Sequence, residues 1–450
     1  MKFSKFGKRF TAETGILKLM DDLGSAIADC EAGKGDIYML GGGNPAHVPL
    51  VQQHFREQME ELLASTNGFE NAVGNYTPAA GEIKFCESLA KLLSKELGIE
   101  ITGDNIALTN GSQNAFFCLF NLLGGTDCDG VKRKILLPLA PEYIGYADAG
   151  LEDDFFIATQ PLMRQTAKNR FKYFIDFAKL IEILDNENIG AICVSRPTNP
   201  TGNVLTDDEV AKLNKIAQEY DVPLIIDNAY GTPFPDIIFT EATPIWNENT
   251  ILSMSLSKLG LPGTRTGIVI ANEKIIDAVG KMNAILNLAP NSMGVALASK
   301  IVETGEIIHI SKNIIKPYYQ ERSKAAAGIL DKSLTEHGID YYLHEQEGAL
   351  FLWLWLPTLP ISCEELYERL KKRGVIVVSG HFFFPGIDVE NLDDFGKIVN
   401  NNFSDGDILP FNKKHIHQCL RISFVMEEEI IKRGLELLAE EIKQVFDEIK

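Results

Sequence analysis

The sequence predicts an α/β protein with a mainly parallel, seven-stranded sheet in a large domain and a smaller α+β domain. Three observations carry this. Seven strand-length runs of branched apolar residues recur through the middle of the chain, at residues 106–109, 135–139, 155–159, 191–195, 223–227, 251–255 and 266–270. Helical patterns lie between several of them, and strand–helix alternation implies a sheet covered on both faces. After about Lys312 the texture changes to charged amphipathic stretches and isolated apolar runs.

Taken in order, the first run leads into Gly111 and Ser112, which precede an apolar helical stretch ending near Leu123. Thr206-Asp-Asp-Glu209 has the spacing of a capping box, and Val210, Leu213, Ile216 and Ala217 then form one apolar stripe. Past Lys312, the strand-like pieces are residues 348–355, 375–379 and 421–425, followed by a terminal helix. The expected division is residues 1–50 as an N-terminal arm and part of the small domain, 51–311 as the large domain, and 312–450 as the C-terminal small domain. At 450 residues the chain is too long for one ordinary core.

Composition narrows the function. Apolar residues make up 45% and charged residues 23%, as in a soluble globular protein. A formal charge of −19 argues against nucleic acid or an anionic membrane as partner. The seven cysteines, scattered from Cys30 to Cys419 without CxxC pairs, suit a reducing compartment. The opening MKFSKFGKRFTAETG has no apolar run of the secretory kind, and residues 349–356 fall far short of the ~20 apolar residues that a membrane helix needs. The expectation is a cytoplasmic protein. The cysteines and the eight histidines show no metal-ligand spacing.

Three constellations carry chemistry. In Ser255-Leu-Ser257-Lys258-Leu-Gly-Leu-Pro-Gly-Thr-Arg265, a lysine follows a buried strand within a Gly- and Pro-rich turn. It must be paired, or lowered in pKa and used as an amine nucleophile, while Arg265 and the serines suit a phosphate; a plain surface pair of Lys258 and Arg265 is the alternative. In Pro223-Leu-Ile-Ile-Asp227-Asn-Ala-Tyr230, a carboxylate ends a second buried strand and needs a positive partner. In Thr109-Asn-Gly111-Ser112-Gln113, a strand runs into a helix start, where exposed N–H groups and the helix dipole favour an anion. Upstream of Asp227, Asn199-Pro-Thr-Gly202 is a turn in which Asn199 serves either a ligand or only the turn itself.

As an ordered set these pieces resemble the class I and II aminotransferases of PLP fold type I, over nearly the whole chain. The resemblance implies pyridoxal 5'-phosphate bonded to Lys258, with Asp227 on its ring nitrogen and Asn199 and Tyr230 on its phenolic oxygen. It implies Gly111, Ser112, Gln113, Ser255, Ser257 and Arg265 around the phosphate, and Tyr143 stacked on the ring. It gives Tyr76, in Asn75-Tyr76-xxxx-Gly81, to the phosphate of a neighbouring subunit, and hence implies a homodimer. Arg421, in Cys419-Leu-Arg421-Ile, would grip the carboxylate of amino acid and 2-oxo acid substrates, helped by the backbone at Gly43. The lesser alternatives are a structural salt bridge for Arg421, a core position for Tyr143 and an ordinary loop aromatic for Tyr76, while for Gly43 a role in its turn alone stands equal.

Lys258 and Arg265 are seven steps apart where many relatives have eight, which resembles a recognised subgroup. Four blocks resemble one branch of the family: Leu40-Gly-Gly-Gly43-Asn44-Pro45, Pro138-Leu-Ala-Pro-Glu142-Tyr143-Ile-Gly-Tyr146, Phe351-Leu-Trp-Leu-Trp355, and Gly380-His381 leading to Phe384-Pro-Gly386. That branch implies exchange between L-alanine/pyruvate and L-valine/2-oxoisovalerate. The alternative is another enzyme on the same fold, a broad-specificity aminotransferase or a lyase.

Overall fold

All seven apolar runs become strands in the computed structural model, which describes residues 1–12, 14, 15, 17, 20, 21, 24, 36–392 and 406–449. Cys30 lies outside the described residues. In chain order the first strands are β1 (Tyr38–Met39), β2 (Ile106–Thr109), β3 (Gly125–Thr126), β4 (Lys132–Leu137), β5 (Phe156–Ala158), β6 (Leu162–Ala167), β7 (Arg170–Phe174) and β8 (Ile189–Ser195). Then come β9 (Leu224–Asp227), β10 (Thr250–Ser255), β11 (Gly267–Ile270), β12 (Tyr342–His344), β13 (Phe351–Trp355), β14 (Val375–Ile376), β15 (Val378–Ser379), β16 (Ile408–Leu409) and β17 (Cys419–Ser423).

The large sheet runs β2-β11-β10-β9-β8-β4-β3, with β5 also on β4. Pairings among β10, β9, β8, β4 and β5 are parallel, whereas β11 is antiparallel to both its neighbours. Every residue of β2, β9, β10 and β11 is buried. That continuous burial is what a sheet covered on both faces requires, and it explains why these strands read as unbroken apolar runs. The sheet has eight strands rather than the expected seven. The extra one, β3, is two residues long and begins at a glycine with φ +93°, too short to leave a periodic pattern. Strand β4 starts earlier than its apolar run because Lys132 and Arg133 pair with β3, and Lys134 beside them is met by Asp154 (3.1 Å) and Glu187 (3.3 Å).

A second sheet runs β15-β17-β13-β12-β7-β6-β16. It draws the hairpin β6–β7 from the middle of the chain and the remaining strands from beyond Lys312. The hairpin was not among the expected strands, because β6 alternates buried with exposed or half-buried residues and carries Arg164 and Gln165. Its tight turn passes through Asn169, whose left-handed φ of 57° asparagine tolerates better than most residues. Strands β1 and β14 form a separate parallel pair.

Two helices matter for the site. Helix α1 (Ser112–Leu123) follows β2, and α2 (Asp207–Glu219) follows β8. The capping box at α2 forms as the spacing predicts: Thr206 accepts from the Glu209 N–H, and the Glu209 carboxylate accepts from the Thr206 N–H at 2.9 Å. Among the described residues no helix is long and apolar enough to cross a membrane.

Candidate active site

The carboxyl ends of parallel strands open onto a crevice, the usual place for a ligand in a sheet of this kind. In the register of β8, β9 and β10, Asp227 lies between Ser195 and Ser253. Small residues on both sides leave room for a carboxylate at the strand's end. The Asp227 Oδ2 accepts from the Tyr146 hydroxyl at 2.8 Å, and Oδ1 accepts from the Ala229 N–H at 3.0 Å. Burial pushes this carboxyl up to about 6 against those hydrogen bonds and the nearby Lys258. Asp227 is therefore mainly anionic at neutral pH.

Three residues past the end of β10, Lys258 turns into the same crevice. Its Nζ donates to the Gly43 carbonyl at 2.6 Å and lies 5.3 Å from the centre of the Tyr230 ring. Burial and then the Arg421 cation lower the ammonium to about 8, with Asp227 opposing and Arg265 adding to the effect. Lys258 and Arg265 do not form the plain surface pair. Asp227 and Lys258 line one cavity of about 530 Å³, together with Gly43, Ser112, Gln113, Tyr143, Asn199, Tyr230, Ser255, Ser257, Arg265 and Arg421.

At one end of the cavity the residues make an anion cradle. Helix α1 starts from Gly111, whose φ of +87° lies in the left-handed region, and no side chain caps its first turn. A Cβ at Gly111 would lie 2.1 Å from Arg265 Nη2, so only glycine lets the guanidinium approach the helix end. Nearby hydroxyls are tied back to the backbone. Ser112 Oγ donates to the Met254 carbonyl (3.2 Å), and Ser255 Oγ donates to the Thr266 carbonyl (3.3 Å) while accepting from the Ser257 N–H (2.9 Å). Gln113 donates to the Gly145 carbonyl at 2.9 Å, leaving its buried Oε1 without a partner among the described residues.

Arg421 stands at the other end, in the middle of β17 and 2% exposed. Its Nη1 donates to Asn199 Oδ1 (2.9 Å) and its Nη2 to the Gly41 carbonyl (2.7 Å). The guanidinium carbon lies 4.2 Å from the centre of the Phe351 ring and 5.1 Å from that of Phe383. Its Nε is buried without a partner, and no carboxylate pairs with it among the described residues. The structural salt bridge considered for it is therefore absent among those residues. Burial lowers this cation to about 10, and a buried charge met only by neutral oxygens is costly unless an anion joins it.

The remaining expected residues divide. Tyr143 lines the cavity and meets Tyr146 edge to face, with ring centres 5.4 Å apart. Tyr230 is buried at the cavity wall. Tyr76 is 83% exposed and does not line the cavity in the single chain. Sequence reading gave no role to Glu142, Tyr146 or Ser195, which form a buried hydrogen-bonded cluster behind Asp227. Their signal was slight, a glutamate and two hydroxyl residues inside apolar runs.

Comparison with known proteins decides the family. The model for aminotransferase class I and II matches residues 45–387. The chain belongs to the class I and II aminotransferases. It is 46% identical over 448 residues to the valine–pyruvate aminotransferase of Escherichia coli K12, covering 100% of both chains. Among solved structures, it resembles a putative amino-acid aminotransferase from Psychrobacter arcticum 273-4 with a TM-score of 0.90 and 44% identity, covering 99% of each chain. It resembles the valine–pyruvate aminotransferase of Salmonella typhimurium LT2 with a TM-score of 0.81 and 44% identity, over 96% of this chain and 100% of that one.

Class I and II aminotransferases are pyridoxal-phosphate enzymes, and the cavity of this aminotransferase suits that cofactor. The uncapped α1 terminus and Arg265 meet the needs of a phosphate, and the lowered Lys258 amine meets those of an aldehyde. Asp227 meets those of a protonated ring nitrogen.

Proposed function

We propose that this aminotransferase exchanges an amino group between L-alanine/pyruvate and L-valine/2-oxoisovalerate by a ping-pong route. The observation that carries the reading is the whole-length 46% identity to the Escherichia coli valine–pyruvate enzyme, joined to a buried Arg421 that lacks a carboxylate partner. In this reading Lys258 bonds the cofactor, and Gly111, Ser112, Gln113, Ser255 and Arg265 hold its phosphate with help from Ser257. Asp227 faces the ring nitrogen, Asn199 and Tyr230 the phenolic oxygen, and Tyr143 the ring face. Arg421 takes the substrate carboxylate through its forked N–H groups, which lysine could not match. Gly43 lets the backbone come close to the substrate.

When bound, the cofactor supplies an electron sink that acidifies the substrate Cα–H. Lys258 Nζ, once freed, is the base that takes the Cα proton, and its depressed pKa suits a base working near neutrality. Asp227 keeps a negative charge fixed against the sink. Tyr76, exposed in one chain, reaches the phosphate site of a second copy, so the working form is a homodimer acting in the cytoplasm.

The reading is tested by incubating the purified, cofactor-loaded protein with valine and pyruvate. Alanine and 2-oxoisovalerate should form in equal amounts, with initial-rate plots parallel in the ping-pong manner. Loss of valine without alanine would assign the chain to lyase chemistry. Arg421→Lys should raise the KM of amino and oxo acids alike by about 100-fold while cofactor binding stays near normal, since a bidentate charged contact is lost. Steady-state kinetics and cofactor titration separate the two effects.

A further inference from the structure

Behind Asp227 lies a second carboxyl that the chemistry above does not use. Glu142 is 0% exposed, does not line the cavity and has no cationic partner among the described residues. Its Oε1 accepts from the Ser195 N–H at 2.8 Å, and its Oε2 lies 2.5 Å from Ser195 Oγ and 3.2 Å from the Tyr143 N–H. Ser195 Oγ is 3.2 Å from the Tyr146 hydroxyl, which reaches Asp227 Oδ2 at 2.8 Å. Two hydroxyls thus join two buried carboxyls in one chain.

Counting hydrogens orients the chain. An ionised Asp227 only accepts, so Tyr146 donates to it. The Tyr146 oxygen is then free to accept, and Ser195 is its neighbour. Ser195 has one hydroxyl hydrogen; if that points to Tyr146, the short contact with Glu142 needs a hydrogen from the Glu142 carboxyl. The opposite arrangement, with the Ser195 hydroxyl turned to Glu142, leaves two anions buried a few atoms apart. Three hydrogen bonds, from the Ser195 N–H, the Ser195 hydroxyl and the Tyr143 N–H, then meet the one at Glu142, but no cation does among the described residues. Two carboxylates buried so close, with no cation on the Glu142 side among the described residues, favour one proton in the chain over two charges. Lys258 favours charge on Asp227, while Asp227 itself disfavours charge on Glu142.

We infer that Glu142 is a positioning residue held as the neutral acid, donating through Ser195 and Tyr146 so that the negative charge of the pair rests on Asp227. Other titratable groups facing it are Tyr146 and Cys193, and neither is ionised at neutral pH because burial raises both. Burial likewise pushes the Glu142 carboxyl up to about 8, and the charge on Asp227 acts in the same direction. The benefit to the cofactor rests on the reading of Asp227 as the partner of the ring nitrogen; the location of the proton does not.

Infrared difference spectra of the full-length protein against Glu142→Gln, with and without pyridoxal phosphate, read the proton directly. The cofactor-free wild type should show a protonated-acid C=O stretch at pH 7 that the variant lacks and that fades as pH rises through about 8. Glutamine can donate as the neutral acid does, so Glu142→Gln should keep most of the turnover. Glu142→Met, which cannot donate, should lower kcat about tenfold with little change in KM. Absence of the acid band at pH 7 would overturn the inference, as would a Gln variant as impaired as Met. Should Met fail to fold, the spectrum and the Gln variant still decide. A normal acid band with no effect of Asp227 substitution on turnover would instead count against the reading of Asp227 alone.

Discussion

Lys258→Ala should lower turnover by about 10⁴-fold or more and remove the visible absorption that the protein takes up with pyridoxal phosphate. The magnitude follows from losing a general base, worth about 10²–10⁴-fold, together with the covalent hold on the cofactor. The structural reason is the amine's setting. It is half-buried beside Arg421 and Arg265, which with burial bring it to about 8, so a useful fraction is neutral and nucleophilic near neutrality. The sign of the pH dependence follows. The rate at which cofactor-free protein captures the aldehyde should rise with pH toward a plateau above about 8, as the ammonium loses its proton. Stopped-flow absorbance checks this, and a rate flat from pH 6 to 9 would show that Lys258 is not the capturing amine.

Asp227→Ala should leave the cofactor bound to lysine yet slow removal of the substrate Cα proton by about 10²–10³-fold, the range for deleting one preorganised electrostatic contact. Asp227 is raised to about 6 by burial, so the wild type should lose activity as pH falls through and below that value, when the anion is quenched. A cationic ring beside it moves the limb to lower pH. The primary isotope effect with Cα-deuterated valine should grow in the variant, because proton removal becomes the slow step. An unchanged isotope effect and turnover would remove Asp227 from the chemistry.

Much of this was legible before any coordinates. Seven of the eight strands of the large sheet announced themselves because burial on both faces demands unbroken apolar runs, as in Ile106–Thr109 and Leu224–Asp227. Lys258 and Asp227 stood out because each ends such a run with a charge that has to be satisfied. The hairpin β6–β7 was illegible, since its alternating polar residues look like loop until β12 pairs with it. Arg421 could be placed only through resemblance; its hydrogen bond to Asn199 spans 222 positions and follows from no local pattern. Glu142 was missed for a related reason. A glutamate between Pro141 and Tyr143 reads as surface, and only the packed sheet puts it at zero exposure. Tyr76 illustrates the reverse case, where the family pattern gives a role that one chain alone does not bring to the cavity.

The central claim is that one lysine, facing a buried aspartate across a single cavity, is where the cofactor is bonded. Borohydride reduction of the loaded protein, followed by peptide mass mapping, tests it most directly. The phosphopyridoxyl mass should lie on the peptide that carries Lys258, at one group per chain. Finding it on a different lysine, or finding none retained, would be incompatible with the site described.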